Sequence, residues 1–281
     1  MPDDRESVSF GLNGSIHSYR KVPEEASVTD PAVLEGAEEF ELGDGPVGVL
    51  LVHGFTGSPQ GLRLLGEYLA DNGLNVAAVR LPGHGTTWQD LNTRVQEEWI
   101  AAVEDGFDRL AAQCDEVFIV SLSFGSSLAV DFAARHPDKV SGLVLLASFL
   151  MTKDPRRFLA PAIRLLVQSL PGAGNDIADP EMREIVYDRV PTRAVYQMLQ
   201  FTRRARKALG SVSCPVLIIH GRNDHTAHPD NARMILDNIG SREKELVWLE
   251  RSYHVITIDL ERDTVYAKTL EFIKERSKHA L

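Results

Sequence analysis

The run Val117-Phe118-Ile119-Val120-Ser121-Leu122-Ser123-Phe124-Gly125-Ser126-Ser127-Leu128-Ala129 constrains this chain more than any other stretch. Its apolar, β-branched start predicts a strand buried on both faces, as in a parallel sheet covered by helices. The run then breaks at a tight turn with Ser123 at its apex and resumes as a helix. A strained strand-to-helix turn of this kind lifts a hydroxyl above the sheet edge, and its consensus is G-x-S-x-G. Here the pattern reads Ser121-Leu122-Ser123-Phe124-Gly125. Gly125 is kept, and Ser121 stands where the first glycine falls. Serine is small enough for the turn to form with some strain. Taken alone, the pattern equally describes a serine-rich strand–helix turn without chemistry, so the rest of the chain must decide.

The same strand-then-turn punctuation recurs along the chain. Val47-Gly48-Val49-Leu50-Leu51-Val52 reads as a buried strand running into the Gly-rich loop His53-Gly54-Phe55-Thr56-Gly57. A short first strand is predicted over 38–42, and others over 75–80, 140–147, 215–221 and 245–249. Helices are predicted over 59–72, 96–113, 126–136, from 230, and over 260–277. Alternation without long gaps implies a mostly parallel sheet with helices on both faces. Between 148 and 212 the alternation stops. Residues 156–170 are apolar and studded with bases, 171–175 break the run, and 181–209 read as short helices split at Pro191. The expectation is an all-helical insertion after the sixth strand, seated over the strand ends as a cap whose apolar faces line a cleft. The domains are then an acidic N-terminal extension (1–35), a core (36–148 and 213–281) and a cap (149–212).

The net charge of −10 is concentrated at the start of the chain, where residues 1–45 hold eleven acids against three bases. With no basic face, nucleic-acid binding is excluded. Cys114 and Cys214 lie far apart, each before an apolar run, and read as free thiols. The start Met1-Pro2-Asp3-Asp4-Arg5-Glu6 lacks the apolar region of a signal peptide, and no apolar run reaches the length of a membrane span. The expectation is a cytoplasmic protein with no stable membrane anchor. No metal-ligand spacing such as H-E-x-x-H or paired cysteines occurs, and no cofactor is expected.

Three residues fall after strands on one sheet edge, in the order Ser123, Asp224, His254. That is the α/β-hydrolase order of nucleophile, acid and base. A serine hydroxyl is a weak nucleophile until a base takes its proton, and an acid holds that base in the right tautomer. His254 is read as the base and Asp224 as the acid. His220, His225 and His228 crowd the acid's own loop and do not approach Ser123 from the opposite side. His84, in Leu81-Pro82-Gly83-His84-Gly85, reads as a loop histidine tied into local hydrogen bonds. A Gly-rich loop after a strand turns backbone N–H groups toward a ligand oxygen. The amides of Phe55 and Phe124 are the candidate oxyanion donors, with their side chains flanking an acyl pocket.

On His53-Gly54-Phe55-Thr56-Gly57, Leu81-Pro82-Gly83-His84-Gly85, Asn175-Asp176-Ile177 and Ser252-Tyr253-His254-Val255-Ile256-Thr257-Ile258-Asp259, the chain resembles the thermostable bacterial carboxylesterases and monoacylglycerol lipases of the α/β-hydrolase superfamily. The resemblance covers roughly residues 36–277. It implies an α/β-hydrolase fold with a small helical cap. It also implies small-molecule esters of short to medium acyl chains, monoacylglycerols included, as substrates. Ser123, Asp224 and His254 are implied as catalytic, and the Phe55 and Phe124 amides as oxyanion donors. Phe55, Phe149, Leu150, Met151 and Val255 are the candidate substrate-binding residues, with 156–170 expected to border the acyl site. The departures are Ser121, Ser126 where a glycine often follows, and the acidic extension. Ser123 argues against dehalogenase and epoxide-hydrolase chemistry, which need a carboxylate at that position. Thioesterase, carbon–carbon bond hydrolase and perhydrolase reactions use the same triad and stay open as alternatives, as does a non-catalytic binding protein.

Overall fold

The structure is a computed structural model and describes residues 31–172 and 174–280. Most of the expected acidic extension therefore lies outside the described residues. The apolar runs become the strands β1 (Phe40–Leu42), β2 (Val47–Val52), β3 (Asn75–Val79), β4 (Glu116–Leu122) and β5 (Val140–Leu146). Between them lie α1 (Arg63–Asp71), the short α2 (Trp88–Leu91), α3 (Gln96–Ala111) and α4 (Phe124–Arg135). After β5 come α5 (Ala160–Leu166), the short strands β6 (Ser169–Pro171) and β7 (Arg189–Pro191), and α6 (Thr192–Ala208). The alternation resumes with β8 (Val216–Gly221), α7 (Asp230–Asn238), β9 (Lys244–Leu249) and α8 (Arg262–Arg276).

Seven strands form one sheet in the order β1-β3-β2-β4-β5-β8-β9, parallel throughout except for β1, which runs antiparallel to β3. Along β2, Leu50 and Val52 enter one core layer while Val49 and Leu51 enter the other. Successive strand residues point to opposite faces, so a strand covered on both sides has to be apolar at nearly every position. On one face Trp99, Val103 and Phe107 of α3 meet Leu128 and Phe132 of α4. On the other, Leu65 and Leu69 of α1 meet Val265, Leu270 and Ile273 of α8. The strand order doubles back around β2 and β4. The crevice outside the carboxyl ends at such a reversal is where open sheets of this kind place their ligands.

The segment 149–212 departs from expectation in three ways. It leaves the sheet after β5, the fifth strand, because the chain enters with one short antiparallel strand and not two. It is not all-helical, since β6 and β7 pair as a small antiparallel ribbon. Residues 181–209 are also not short helices split at Pro191. Pro191 caps the start of one long α6, where its missing N–H and fixed φ suit a helix entrance.

Candidate active site

The turn after β4 holds Ser123 at φ 55 and ψ −117, outside the regions an L-residue ordinarily adopts. Such a conformation costs on the order of 1–3 kcal/mol and persists only where surroundings enforce it. Here the Ser123 amide donates to the Leu146 carbonyl at 2.9 Å. Its own carbonyl accepts from the amides of Ser126 at 3.1 Å and Phe149 at 3.0 Å. Gly125 lets α4 begin hard against the end of β2, since a Cβ there would lie 2.3 Å from the Val52 carbonyl oxygen. Ser121 is fully buried, and its hydroxyl donates to the Val144 carbonyl at 3.3 Å.

Asp224 and His254 arrive from the loops after β8 and β9. His254 Nε2 lies 2.9 Å from Ser123 Oγ, and Nδ1 lies 2.8 Å from Asp224 Oδ2. The carboxylate accepts only, so Nδ1 carries the proton and Nε2 is left to accept from the hydroxyl. Asp224 Oδ1 takes the amides of Thr226 at 2.9 Å and Ala227 at 2.7 Å. His220 Nε2–H is shared between the Ala227 carbonyl at 2.8 Å and Asp224 Oδ2 at 3.3 Å. Burial works against an ionised Asp224, but the His254 charge and the bonds from His220 and His254 outweigh it, holding the carboxyl well below the usual carboxylate range. Burial likewise works against protonation of His254. The Asp224 charge and hydrogen bond overcome it, with Glu184 and Asp176 adding, so its pKa stands above the ordinary 6.5.

His225 and His84 stay out of this relay. His225 donates to Asp176 and packs on the Tyr253 ring. His84 is fully buried against His53, Phe55 and Trp99. Its protonation is pushed well below the ordinary value, mainly by burial and then by the His53 charge.

Facing Ser123 is a cavity of about 220 Å³. Phe55, Phe149 and Val255 line it as expected, together with Phe124, Val190, Val195 and Met198. Leu150 and Met151 do not line it. Asn231 Oδ1 accepts both of their amides, at 2.9 and 2.8 Å, and turns the chain away from the cavity. Leu150 is buried in the core instead. Residues 156–170 do not border the cavity either, and Phe158, Leu159, Leu165 and Leu166 are exposed. The wall comes from 172–198, within the segment expected to form the cap, through a ribbon and a helix in place of the expected short helices. Gly54 lets the loop after β2 approach Ser123, a Cβ there meeting the serine Cβ at 3.1 Å. Phe124 opens α4, where the first N–H groups have no acceptor within the helix. Among the described residues, the Phe55 and Phe124 amides donate to no other group.

The sequence reading missed two acids. Glu184 lines the cavity, and no group among the described residues bonds its carboxylate. Burial pushes its pKa up to about 7, against the opposing His254 charge. Asp259 is fully buried, and its carboxylate accepts the amides of Ala178, Asp179, Tyr253 and Leu260. The main-chain carbonyl of Asp176 takes the amides of His254 and Val255 at 3.0 and 3.3 Å. Together they fasten the His254 loop to the stretch 176–179. The only sequence signal was that Asn175-Asp176-Ile177 and Asp259 both fell inside the motifs that carried the resemblance.

The family model described as Hydrolase_4, serine aminopeptidase S33, matches residues 47–261. A thermostable monoacylglycerol lipase of Bacillus sp. (strain H-257) is 37% identical over 88% of this chain and 97% of its own length. A carboxylesterase of Bacillus subtilis (strain 168) is 26% identical over 84% of this chain and 96% of its own. Among solved structures, one from work on LipS and LipT, two metagenome-derived lipolytic enzymes, superposes with a TM-score of 0.83 at 36% identity, covering 87% of this chain and 100% of that one.

Proposed function

The chain belongs to the serine aminopeptidase S33 family and has the α/β-hydrolase fold, and on that premise we propose that it hydrolyses carboxylic esters through an acyl-enzyme on Ser123. The observation that carries the reading is the continuous relay from Ser123 Oγ through His254 to Asp224, at 2.9 and 2.8 Å. Ser123 Oγ attacks the ester carbonyl carbon while its proton passes to His254 Nε2. The developing oxyanion takes the Phe55 and Phe124 amides, which are free to donate to it. Imidazolium then protonates the leaving alcohol, with Asp224 stabilising the charge and fixing the ring. Water enters by the same route in reverse and releases the acid. No metal or cofactor has a part in these steps.

The lining of the cavity combines two chemistries. Phe55, Phe149, Val190, Val195 and Met198 offer an apolar surface to an acyl chain. Glu184 offers an unengaged carboxylate to the same cavity, near enough to His254 to feel its charge. A carboxylate there suits an alcohol with spare hydroxyls, which supports a monoacylglycerol as substrate, in keeping with the lipase and carboxylesterase among its relatives. Cytoplasmic residence belongs to the same proposal and is supported by the free thiols of Cys114 and Cys214. Among the described residues, no helix is long and apolar enough to cross a membrane.

The test is a panel of monoacylglycerols and p-nitrophenyl esters of rising chain length, run on the wild type and on Ser123→Ala. Hydrolysis should vanish in the variant, and an alkyl phosphonate should label Ser123 alone. Glu184→Ala should raise KM for monoacylglycerols far more than for p-nitrophenyl esters. Residual turnover in Ser123→Ala, or labelling at Ser121 or Ser126, refutes the assignment.

A further inference from the structure

Next to the cavity that faces Ser123 lies a second one of about 440 Å³. The two share a wall. Along α6, Val195 and Met198 face the first, and Leu199, Thr202, Arg203 and Arg206 face the second. The spacing i, i+3, i+4, i+7 puts those last four on one stripe of the helix. On the facing segment, Phe149 lines the first cavity while Leu150 and Met151, which turn away from it, line the second.

This second cavity is cationic in an acidic protein. Residues 149–209 hold eleven lysines and arginines against six acids, in a chain of net charge −10. Four of those bases, Lys153, Arg157, Arg203 and Arg206, line the cavity, and no carboxylate does. Lys153 is engaged by Asp230. Arg157 donates to the Thr152 carbonyl and lies over the Phe158 ring at 4.5 Å. Arg204 pairs with Asp131 at 2.7 Å. Arg203 and Arg206, on either side of it, have no ion pair or hydrogen bond among the described residues. Helix surfaces of mixed charge ordinarily interleave the two signs, so adjacent unpaired guanidinium groups over a cavity leave an uncompensated positive field. The floor beneath them is aliphatic, made by the half-buried Met151 and Leu199, and the exposed Phe158 ring lines the same groove.

We propose that this groove binds a fatty-acid anion, its carboxylate held by Arg203 and Arg206 and its chain laid along Met151, Phe158 and Leu199. Guanidinium forks match the two oxygens of a carboxylate. The aliphatic floor accounts for the tail, since a small inorganic anion leaves that surface uncovered. The identity of the ligand rests on the ester-hydrolase reading, because a fatty acid is what that reaction releases. The site would keep the product next to, yet outside, the cavity in which it forms.

The experiment is calorimetric titration of decanoate, below its micellar concentration and at low salt, into the full-length wild type and the double variant Arg203→Gln/Arg206→Gln. Both arginines are exposed, so the variant should fold. Its kcat on p-nitrophenyl acetate should equal that of the wild type, which checks this. The expected result is decanoate binding at least about tenfold weaker in the variant and weaker in the wild type at high salt, as an ionic contact at the surface requires. Decanol, with the same chain and no charge, should not distinguish the two proteins. Equal decanoate binding by both proteins overturns the proposal. So does decanol binding as well as decanoate, or binding only to fatty-acid vesicles. Binding of decyl phosphate without decanoate overturns the carboxylate assignment. If the wild type hydrolyses no ester yet binds decanoate through these arginines, the active-site reading fails and the groove stands.

Discussion

The buried carboxylate of Asp259 offers a direct test of how the His254 loop is held. Its Oδ1 accepts Asp179 N at 2.9 Å and Leu260 N at 2.7 Å, and its Oδ2 accepts Tyr253 N at 2.7 Å. The Ala178 amide is shared between both oxygens, at 3.1 and 3.0 Å. Asp259→Asn keeps the shape but replaces one oxygen with an NH₂ group. Whichever way the amide turns, at least one backbone N–H then faces a donor and loses its acceptor. A hydrogen bond to a charged group contributes about 1.5–3 kcal/mol, and an orphaned buried donor costs about 1–3 kcal/mol more. The expected loss is therefore about 2.5–6 kcal/mol, which at an m of about 3 kcal/mol/M lowers the urea midpoint by roughly 1–2 M. The kinetic effect is separable from the loss of stability. Tyr253 adjoins His254, and a displacement of about 1 Å in a reacting group costs on the order of a hundredfold in rate. kcat on p-nitrophenyl butyrate, measured in buffer where the variant is fully folded, should fall about tenfold to a hundredfold. Asp131→Asn is the control, because Asp131 is a buried carboxylate bonded to Arg135 and Arg204. It should destabilise with kcat unchanged. If Asp259→Asn lowers the midpoint but leaves kcat within about twofold, the clamp contributes stability and positions nothing, and the reasoning fails.

Three further outcomes follow from the same geometry. Asp224→Asn should cost on the order of ten thousandfold in kcat, because the amide selects the wrong imidazole tautomer, while His225→Ala, whose ring is committed to Asp176, should cost less than about threefold; comparable losses in steady-state assays would refute the choice of base. His254 must be neutral to accept the serine proton, and its pKa is raised, so activity should fall with decreasing pH from a point above 6.5. Glu184→Gln removes a carboxylate whose charge, where ionised, raises it, so the acid limb of kcat/KM should move to lower pH, and a limb that stays or moves upward contradicts an electrostatic coupling between Glu184 and the ring. Ser121→Gly should leave kcat within about tenfold, while Gly125→Ala should nearly abolish soluble folded protein, as read by yield and circular dichroism.

What could be read from the chain followed from how local each constraint is. The sheet was legible because a strand buried on both faces must be apolar at almost every position, and β2, β4, β5 and β8 are. Ser123 and Asp224 were legible because each follows such a strand, and His254 because it follows the edge strand β9; the sheet itself brings those turns together. Which residues of the expected cap line the cavity was not. Val190, Val195 and Met198 reach the site through a ribbon and a helix whose apolar spacing looks like that of any packed helix. The apolar run 156–170 misled for the converse reason. Hydrophobic residues on a short helix predict a buried face only if something covers it, and Leu165 and Leu166 of α5 remain 75% and 83% exposed. Glu184 carried no sequence signal, since its environment is created by Gly57 and Gly61, far away in the chain, where a Cβ on either would lie under 3 Å from its Oε1.

Ser121 shows why a departure from a motif has to be weighed in space. The two glycines of G-x-S-x-G are not equivalent in this fold. Gly125 is required because the first turn of α4 is pressed on the end of β2, where a Cβ would sit 2.3 Å from the Val52 carbonyl oxygen and 2.7 Å from that of His53. Both are backbone atoms of a central strand and its exit, so neither can move aside without breaking the sheet. Position 121 faces a different neighbourhood. Its side chain enters a small polar pocket behind the turn, where the Ser121 hydroxyl donates to the Val144 carbonyl and lies 3.4 Å from Ser126 Oγ. Ser126 in turn bonds the Ser121 carbonyl at 3.3 Å and the Ser148 hydroxyl at 3.1 Å. All three serines are fully buried, and each finds a partner, so the added hydroxyls leave no unsatisfied group. The two departures at 121 and 126 therefore share one hydrogen-bonded cluster: the Ser121 hydroxyl is satisfied at Val144 and the Ser126 hydroxyl at the Ser121 carbonyl. The turn keeps its strained Ser123 at φ 55 because the glycine that makes the strain possible is the one retained.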